Sequence, residues 1–222
     1  TAVVGGGGVG VGAAVNVDRI AGTTRAYLDN QSDVNNDTTS NGFIERIPTA
    51  RQAAQVMAAN HAMIASSTTA ISGGGVGVGA SMATELIDRS TRAEVLNSNV
   101  QAQAGVTVQA VSTNTVAQIA TGAGGGAATG VAGSGDAVMI RGETVARAYN
   151  STLSGDTVSI LADGANRFNL IAGSVAGGAI GGGGLSFTVG VSGSTVRAVA
   201  ENTAIGADGA VTVDANNTTR VL

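Results

Sequence analysis

Apolar and polar residues alternate in short stretches along the chain, and the alternation predicts strands. Residues 105–110 (GVTVQA), 156–162 (DTVSILA) and 209–215 (GAVTVDA) each carry an apolar side chain at every second position. That period is typical of a strand with one face buried. Asn, Asp and Gly separate such stretches, as they do between strands. The chain is therefore predicted to be all-β, with at most one short helix.

An internal repeat organises these stretches. The octapeptide GGGVGVGA occurs at residues 6–13 and again at 73–80. Aligning the two copies, and then continuing in steps of about 52 residues, predicts four units at about 1–71, 72–124, 125–176 and 177–222. Each unit carries an Ala four residues before an Asn, with an aliphatic residue after the Asn: Ala26, Ala93, Ala146 and Ala198, followed by Val34, Val100, Leu153 and Ile205.

A repeat of this length that is almost wholly β, with a core of Val, Ile, Leu and Ala, predicts a solenoid of the parallel β-helix type. Coils of roughly 20–25 residues would give two or three coils per unit, and a rod of about 40–50 Å at ~4.8 Å per coil. A propeller is the alternative fold. Its blades normally carry larger side chains, however, whereas aromatic residues make up 2% of this chain.

The order V-x-A-x-V/L-x-N-S/T, then G-x-V-x-V-x-A, then a glycine run resembles the leukotoxin-type and filamentous-haemagglutinin-type exoproteins of Gram-negative bacteria. The residues that carry it in one unit are Val145, Ala146, Ala148, Asn150, Ser151, Val158, Ile160 and Ala162. The resemblance implies a right-handed β-helix, secretion through an outer-membrane partner, and a location at the cell surface or outside the cell. It also implies adhesion, aggregation or toxicity, through a receptor or glycan on host or neighbouring cells, with self-association as a further expectation.

The glycine runs invite a different interpretation. Gly5, Gly7 and Gly10 satisfy the dinucleotide-binding spacing G-x-G-x-x-G, but the same spacing counted from Gly73 in the second copy ends at Val78. Both copies lead into residues that alternate at strand period, and not into a helix that could face a pyrophosphate. We therefore expect the glycines to permit close approach of backbones and tight bends between coils.

The first unit is longer than the others by about fifteen residues, and the extra material lies within residues 32–52. An insertion in a repeat array emerges from one face, which is often the binding face. We therefore predict a partner contact here, with the candidates Phe43, Ile44, Glu45 and Arg46.

The same insertion contains a partial calcium motif. Asp33, Asn35 and Asp37 match the first three ligand positions of an EF-hand-like loop. Thr38 replaces the turn glycine, however, and Glu45 lies one residue too late to be the bidentate ligand. A solvated Asn/Asp turn is the alternative to a calcium site.

A helix is predicted for residues 49–58, because Pro48 precedes a run of good helix formers. The alternative is a strand, in which Ala54, Val56 and Ala58 take the part of Val106, Val108 and Ala110. This is the one segment for which the sequence leaves the element type open.

Composition excludes several functions. The net charge is -4, and the eleven basic residues, all Arg, form no basic run, so nucleic acid is not an expected partner. The absence of Cys excludes disulfides, thiolate metal sites and thiol catalysis. Residues 169–196 are uncharged, but their glycines and alternating pattern argue against a membrane span.

Catalysis is not expected. A polysaccharide-degrading β-helix is the enzyme alternative, but it needs clustered acids and usually aromatics, whereas this chain has two Tyr, no Trp and scattered acids. The single histidine, His61, has no recognisable catalytic partners in the sequence. Arg25 and Arg92 occupy equivalent positions and are predicted to pair with acids such as Asp29 and Glu94 on adjacent coils. The sequence thus predicts a structural and adhesive segment, with a calcium-dependent glycan-binding module as the other binding alternative.

Overall fold

The computed structural model describes residues 2–5, 8–34 and 53–222. Every regular element in this part of the chain is a β-strand, so the predicted all-β class is confirmed and none of the described residues forms a helix that could span a membrane. The strands are β1 (Ala2–Gly5), β2 (Val9–Leu28), β3 (Asp33–Val34), β4 (Ala53–Ser72), β5 (Val76–Leu96), β6 (Asn99–Ala102), β7 (Gly105–Gly125), β8 (Thr129–Tyr149), β9 (Thr152–Gly155), β10 (Val158–Gly177), β11 (Gly181–Glu201), β12 (Ala204–Ala207) and β13 (Val211–Val221).

The helix predicted for residues 49–58 is wrong over its described part, because β4 is a strand from Ala53 onward. The strand alternative is correct, since its residues pair in register with the next unit: Ala54 with Val106, Val56 with Val108 and Ala58 with Ala110. Helix propensity is a weak preference. Here it is outweighed by a complete parallel partner strand and by the burial of every second side chain.

The described strands pair in parallel and form three sheets. Sheet A has the order β1-β4-β7-β10-β13, sheet B the order β11-β8-β5-β2, and sheet C the order β12-β9-β6-β3. The chain passes through sheets B, C and A in turn, so one circuit makes one coil of a solenoid. Val106 lies opposite Val158, and Val76 lies opposite Thr129, which sets the coil at 158 − 106 = 52 or 129 − 76 = 53 residues.

The predicted coil of 20–25 residues is therefore wrong, because a whole repeat unit makes a single coil. Strands β5 and β7 are each 21 residues long, or about 69 Å at ~3.3 Å per residue. At ~4.8 Å per strand, the five strands of sheet A give a stack of only about 24 Å, and not the predicted 40–50 Å. The described solenoid is consequently wide and flat.

The residues that the repeat aligned do stack on one another. Ala26, Ala93, Ala146 and Ala198 are in register along sheet B, and Val34, Val100, Leu153 and Ile205 along sheet C. Where the three sheets meet, they enclose an apolar core in which Val95, Val100, Val108, Leu153 and Ile160 are fully buried. The periodic sequence thus supplies one layer of this core per coil.

Farther from sheet C, only sheets A and B face each other, and the interior changes in character. Asn114 and Asn166 form a buried polar pair, with Asn114 Nδ2 donating to Asn166 Oδ1 at 2.9 Å. Beyond them lies a second apolar cluster that includes Ile87, Ile140 and Phe168. The interior is therefore layered along the strands as well as along the stack.

At the end of the section remote from sheet C, the two sheets approach until no side chain fits between them. A Cβ atom on Gly77 would lie 2.1 Å from the carbonyl oxygen of Gly125, and one on Gly130 would lie 2.2 Å from that of Gly124. We call this region the glycine seam, formed by the inward glycines Gly77, Gly79 and Gly130 of sheet B and Gly122 and Gly124 of sheet A. The predicted role of the glycine runs in backbone approach is confirmed.

Each coil turns from sheet B to sheet C at a residue with positive φ. Asn97, Asn150 and Asn202 have φ of 49°, 47° and 49°, and Asn30 has 66°. Asparagine tolerates this left-handed conformation better than most residues. The side chains also bond along the stack, because Asn150 Nδ2 donates to Asn97 Oδ1 at 3.4 Å. The repeated Asn is thus a corner residue.

Candidate functional site: the outer face of sheet B

The predicted contact site lies outside the described residues. This holds for the contact candidates Phe43, Ile44, Glu45 and Arg46 and for the ligand candidates Asn35 and Asp37. Asp33 begins β3, where its backbone pairs with Asn99. Residues 35–52 connect Val34 to Ala53, whereas the four residues 101–104 connect the equivalent positions, Val100 and Gly105, in the next coil.

The described residues do not offer a metal centre. No group of three or more His, Asp or Glu side chains in this part of the chain is placed to bind a metal ion. His61 is exposed on the outer face of β4, and its neighbour in the adjacent strand is Thr113.

The half of sheet B that covers the glycine seam presents apolar side chains to solvent. We define the apolar face as the outward residues of β2 from Val9 to Arg19, together with the residues in register with them in β5, β8 and β11. Arg19 is the one charged residue among them. The large exposed members are Val9, Val11, Val15, Val17, Val76, Met82, Val131, Leu185, Phe187, Val189 and Val191.

The glycine seam explains why these side chains point outward. In V-G-V-G the inward positions must be glycine, because sheets A and B are in backbone contact there, so the valines occupy the opposite face. Val17 is 70% exposed and Phe187 is 52% exposed. Period-two alternation alone predicts which residues share a face, but not which face is buried. Sequence reasoning therefore missed this surface, although inward glycine beside outward valine was the available signal.

The apolar face is large for a surface exposed to water. Eleven residues along each of the four strands of sheet B span about 36 Å by 19 Å, or roughly 700 Å², at ~3.3 Å per residue and ~4.8 Å per strand. The largest apolar patch on a typical soluble monomer covers about 300–600 Å² and is often functional. The face consequently has the size of an interaction surface.

The other half of the outer face of sheet B carries charged side chains. We call it the charged stripe, formed by Arg25, Arg92, Glu94, Glu143, Arg147 and Glu201. Ion pairs link adjacent coils: Arg25 Nε to Glu94 Oε2 at 2.6 Å, Arg92 to Glu143, and Arg147 Nη2 to Glu201 Oε2 at 2.9 Å. The predicted equivalence of Arg25 and Arg92 and the pair with Glu94 are confirmed. The pairs Arg92–Glu143 and Arg147–Glu201 are exposed, and such pairs are worth about 0–1 kcal/mol each, whereas Glu94 is buried beneath Arg25.

Two arginines of this charged stripe also lie over aromatic rings. The guanidinium carbon of Arg25 is 4.7 Å from the centre of the Tyr27 ring, and that of Arg147 is 4.5 Å from the centre of the Tyr149 ring. A shallow cleft of about 550 Å³ runs through the stripe and is lined by Arg92 and other charged residues. Because most of these charges are already paired within the chain, the stripe is not a basic patch for polyanions.

Beneath the apolar face, the interior contains two buried carboxyl groups. Burial raises the pKa of Glu85 to about 7, and the nearby charges of Asp18 and Asp136 add to the rise, while a hydrogen bond from the Ser66 hydroxyl opposes it. Burial likewise raises the pKa of Asp136 to about 6. Both residues are almost completely inaccessible to solvent.

The layer around Glu85 and Asp136, which we call the acidic layer, contains buried polar atoms without a hydrogen-bond partner. Glu85 Oε2, both carboxyl oxygens of Asp136 and both polar atoms of Gln118 have no partner. A neutral carboxyl costs less to bury than an ionised one, which agrees with the direction of both pKa changes. The layer therefore makes the stability of the fold depend on pH near neutrality.

Comparisons of the chain with protein-family models, with curated proteins and with solved structures found no match.

Proposed function

We propose that this chain is a structural and adhesive segment of a secreted or cell-surface exoprotein, of the kind that its repeat resembles. The observation that carries the proposal is the register of the coils, in which each coil repeats the faces of the one before it. Such a stack supports and presents a surface, and its function in this proposal is mechanical and not catalytic.

The contacts between coils support a load-bearing role. Long parallel ladders join neighbouring coils along sheets A and B, and 21 residues of β8 are each paired with β11. Asparagine corners and the ion pairs of the charged stripe add side-chain ladders in the same direction. Adding a coil extends all of these ladders, so the stack suits a filament that carries a contact away from a cell.

Residues 35–52 are the proposed point of attachment. They stand in place of the four residues 101–104 of the next coil, and the sheet pairings of Val34 and Ala53 on either side of them are both kept. The partner in this proposal is a receptor or glycan on a host or neighbouring cell, and export uses an outer-membrane partner. If calcium contributes, Asp33, Asn35 and Asp37 are the residues that would bind it.

The next coil of the chain supplies the sequence for a control variant that lacks the insertion, and this variant tests whether residues 35–52 make the contact. Replacing residues 35–52 by Gln-Ala-Gln-Ala, the sequence of residues 101–104 in the next coil, shortens the connection and keeps the register of Val34 with Val100 and of Ala53 with Gly105. Beads coated with the wild-type chain are expected to attach to epithelial monolayers or to a glycan array, and beads with the short-corner variant are not, although both give the same circular dichroism spectrum and melting temperature.

Equal attachment of the two bead types would refute a role for residues 35–52. No attachment by either type to cells or glycans would contradict the adhesive function itself. Release of sugars from polysaccharides by the purified chain would favour an enzyme instead.

A further inference from the structure

We propose that the apolar face of sheet B is an interface, and that its partner is the same face of a second copy of this chain. The inference concerns how solenoids associate side by side, and it does not depend on which surface residues 35–52 contact. It goes beyond the proposed function because it assigns a partner to a different part of the molecule.

The area of the face agrees with a specific dimer. Roughly 700 Å² on each copy gives about 1,400 Å² of buried surface, within the range of about 1,200–2,000 Å² for stable protein interfaces. The outward residues are uncharged at every position except Arg19, and most of them are Val, Leu, Ala or Gly. An interface centre is similarly depleted in charged residues.

The shape of the apolar face favours another β-sheet as its partner. Its rows consist mainly of Val, Ala and Gly with isolated Met, Leu and Phe side chains, so most of its side chains are short. Phe187 lies flat enough to cover Gly135 in the adjacent strand, where a Cβ would meet its ring at 2.4 Å. Two such faces can pack as sheets do in a sandwich, about 10 Å apart.

The regular spacing of the rows on the apolar face also favours a second copy of the chain as its partner. Each coil contributes one row of outward side chains, and rows follow one another at the strand spacing of about 4.8 Å. A partner that matches this spacing over the whole width of the face is another stack of the same coils. A two-fold arrangement places identical patches against each other, which is the commonest form of homodimer.

Electrostatics do not oppose the pairing. The charged stripe beside the apolar face already pairs Arg25 with Glu94 and Arg147 with Glu201 within one copy. The net charge of the whole chain is -4, so repulsion between two copies is modest at physiological salt. Lateral association can therefore bury the apolar half while the charged half stays in water.

The test compares substitutions at two exposed methionines, one in sheet B and one in sheet A. Met82 is 46% exposed at the centre of the apolar face, and Met63 is 58% exposed on the outer face of sheet A. Sedimentation velocity of the wild-type chain over a range of concentrations is expected to show a monomer–dimer equilibrium. Met82→Lys should weaken it by about tenfold or more, and Met63→Lys should leave it unchanged.

Cross-linking gives a second readout, because it joins the two chains covalently while they are associated. The chain has no cysteine, so Met82→Cys introduces a single thiol. We expect a short bis-maleimide linker to join two Met82→Cys chains and to leave Met63→Cys chains monomeric. Circular dichroism of the two lysine variants and the two cysteine variants serves as the control for folding.

Three results would overturn the proposal. The wild-type chain could remain monomeric at every concentration. It could associate through its end coils, in which case Met82→Lys would change nothing. It could instead bind neutral phosphatidylcholine vesicles in a Met82-dependent way without forming dimers, which would make a lipid surface the partner of this face.

Discussion

Replacing glycine by alanine is expected to have opposite effects on the two faces of β8. A Cβ on Gly130 would lie 2.2 Å from the carbonyl oxygen of Gly124, whereas one on Gly133 would have no atom nearer than 4.0 Å. Relieving the first contact requires sheets A and B to separate by about 1 Å, which removes a quarter to a half of the dispersion energy of the contacts that line the gap. Overpacking of this kind costs about 1–3 kcal/mol, and a clash with backbone belongs at the upper end. Alanine at Gly133 instead stabilises by about 0.5–1 kcal/mol, since it restricts the unfolded chain.

The assay is urea unfolding of the wild-type chain, Gly130→Ala and Gly133→Ala, followed by circular dichroism. The expected difference in unfolding free energy between the two variants is about 3–4 kcal/mol, with the wild-type value between them. Equal stability of the two variants, or greater stability of Gly130→Ala, would refute the assignment of glycines to the inside and valines to the outside.

Two further predictions concern the acidic layer and the corners. The unfolded chain releases the proton of Glu85 near pH 4.5 and the folded chain near pH 7, so the free energy of unfolding should fall by about 3 kcal/mol as pH rises through that window. Glu85→Gln should remove this contribution, as measured by urea midpoints between pH 4 and 8. Asp88→Asn, an exposed control on the same strand, should leave it unchanged. A pH profile of Glu85→Gln that runs parallel to that of the wild type would contradict the burial argument. At the corner, Asn150→Ala should lower stability by about 1 kcal/mol more than Asn150→Gly, because φ of 47° strains alanine and not glycine. Equal melting temperatures for the two corner variants would show that the backbone conformation is not what selects asparagine.

Much of the fold follows from spacing in the sequence. The positions of Ala93, Asn97 and Val100 recur in each unit because successive coils place equivalent residues on top of one another, so alignment of the units predicted their register. The pair between Arg25 and Glu94 could be predicted for the same reason. Repetition determines which residues are neighbours along the stack.

Repetition does not determine how a coil closes or which face it buries. A strand of 21 residues such as β7 contains polar inward positions, including Asn114 and Gln118, which break the apolar pattern and make one strand resemble several. The coil was for this reason predicted to be too short. The apolar face was missed because close packing of two backbones turns the valines outward, and that packing is a tertiary property.

One repeat unit makes one wide coil, and electron paramagnetic resonance of spin-label pairs can measure this geometry. Thr107 and Ser159 are neighbours in adjacent strands of sheet A, so labels on Thr107→Cys and Ser159→Cys should broaden each other strongly. Labels on Thr107→Cys and Thr129→Cys should be about 60 Å apart, because most of the length of β7 separates them at ~3.3 Å per residue. Strong coupling of the second pair together with none in the first would indicate a coil of about 22 residues, and it would contradict a coil of one whole repeat unit.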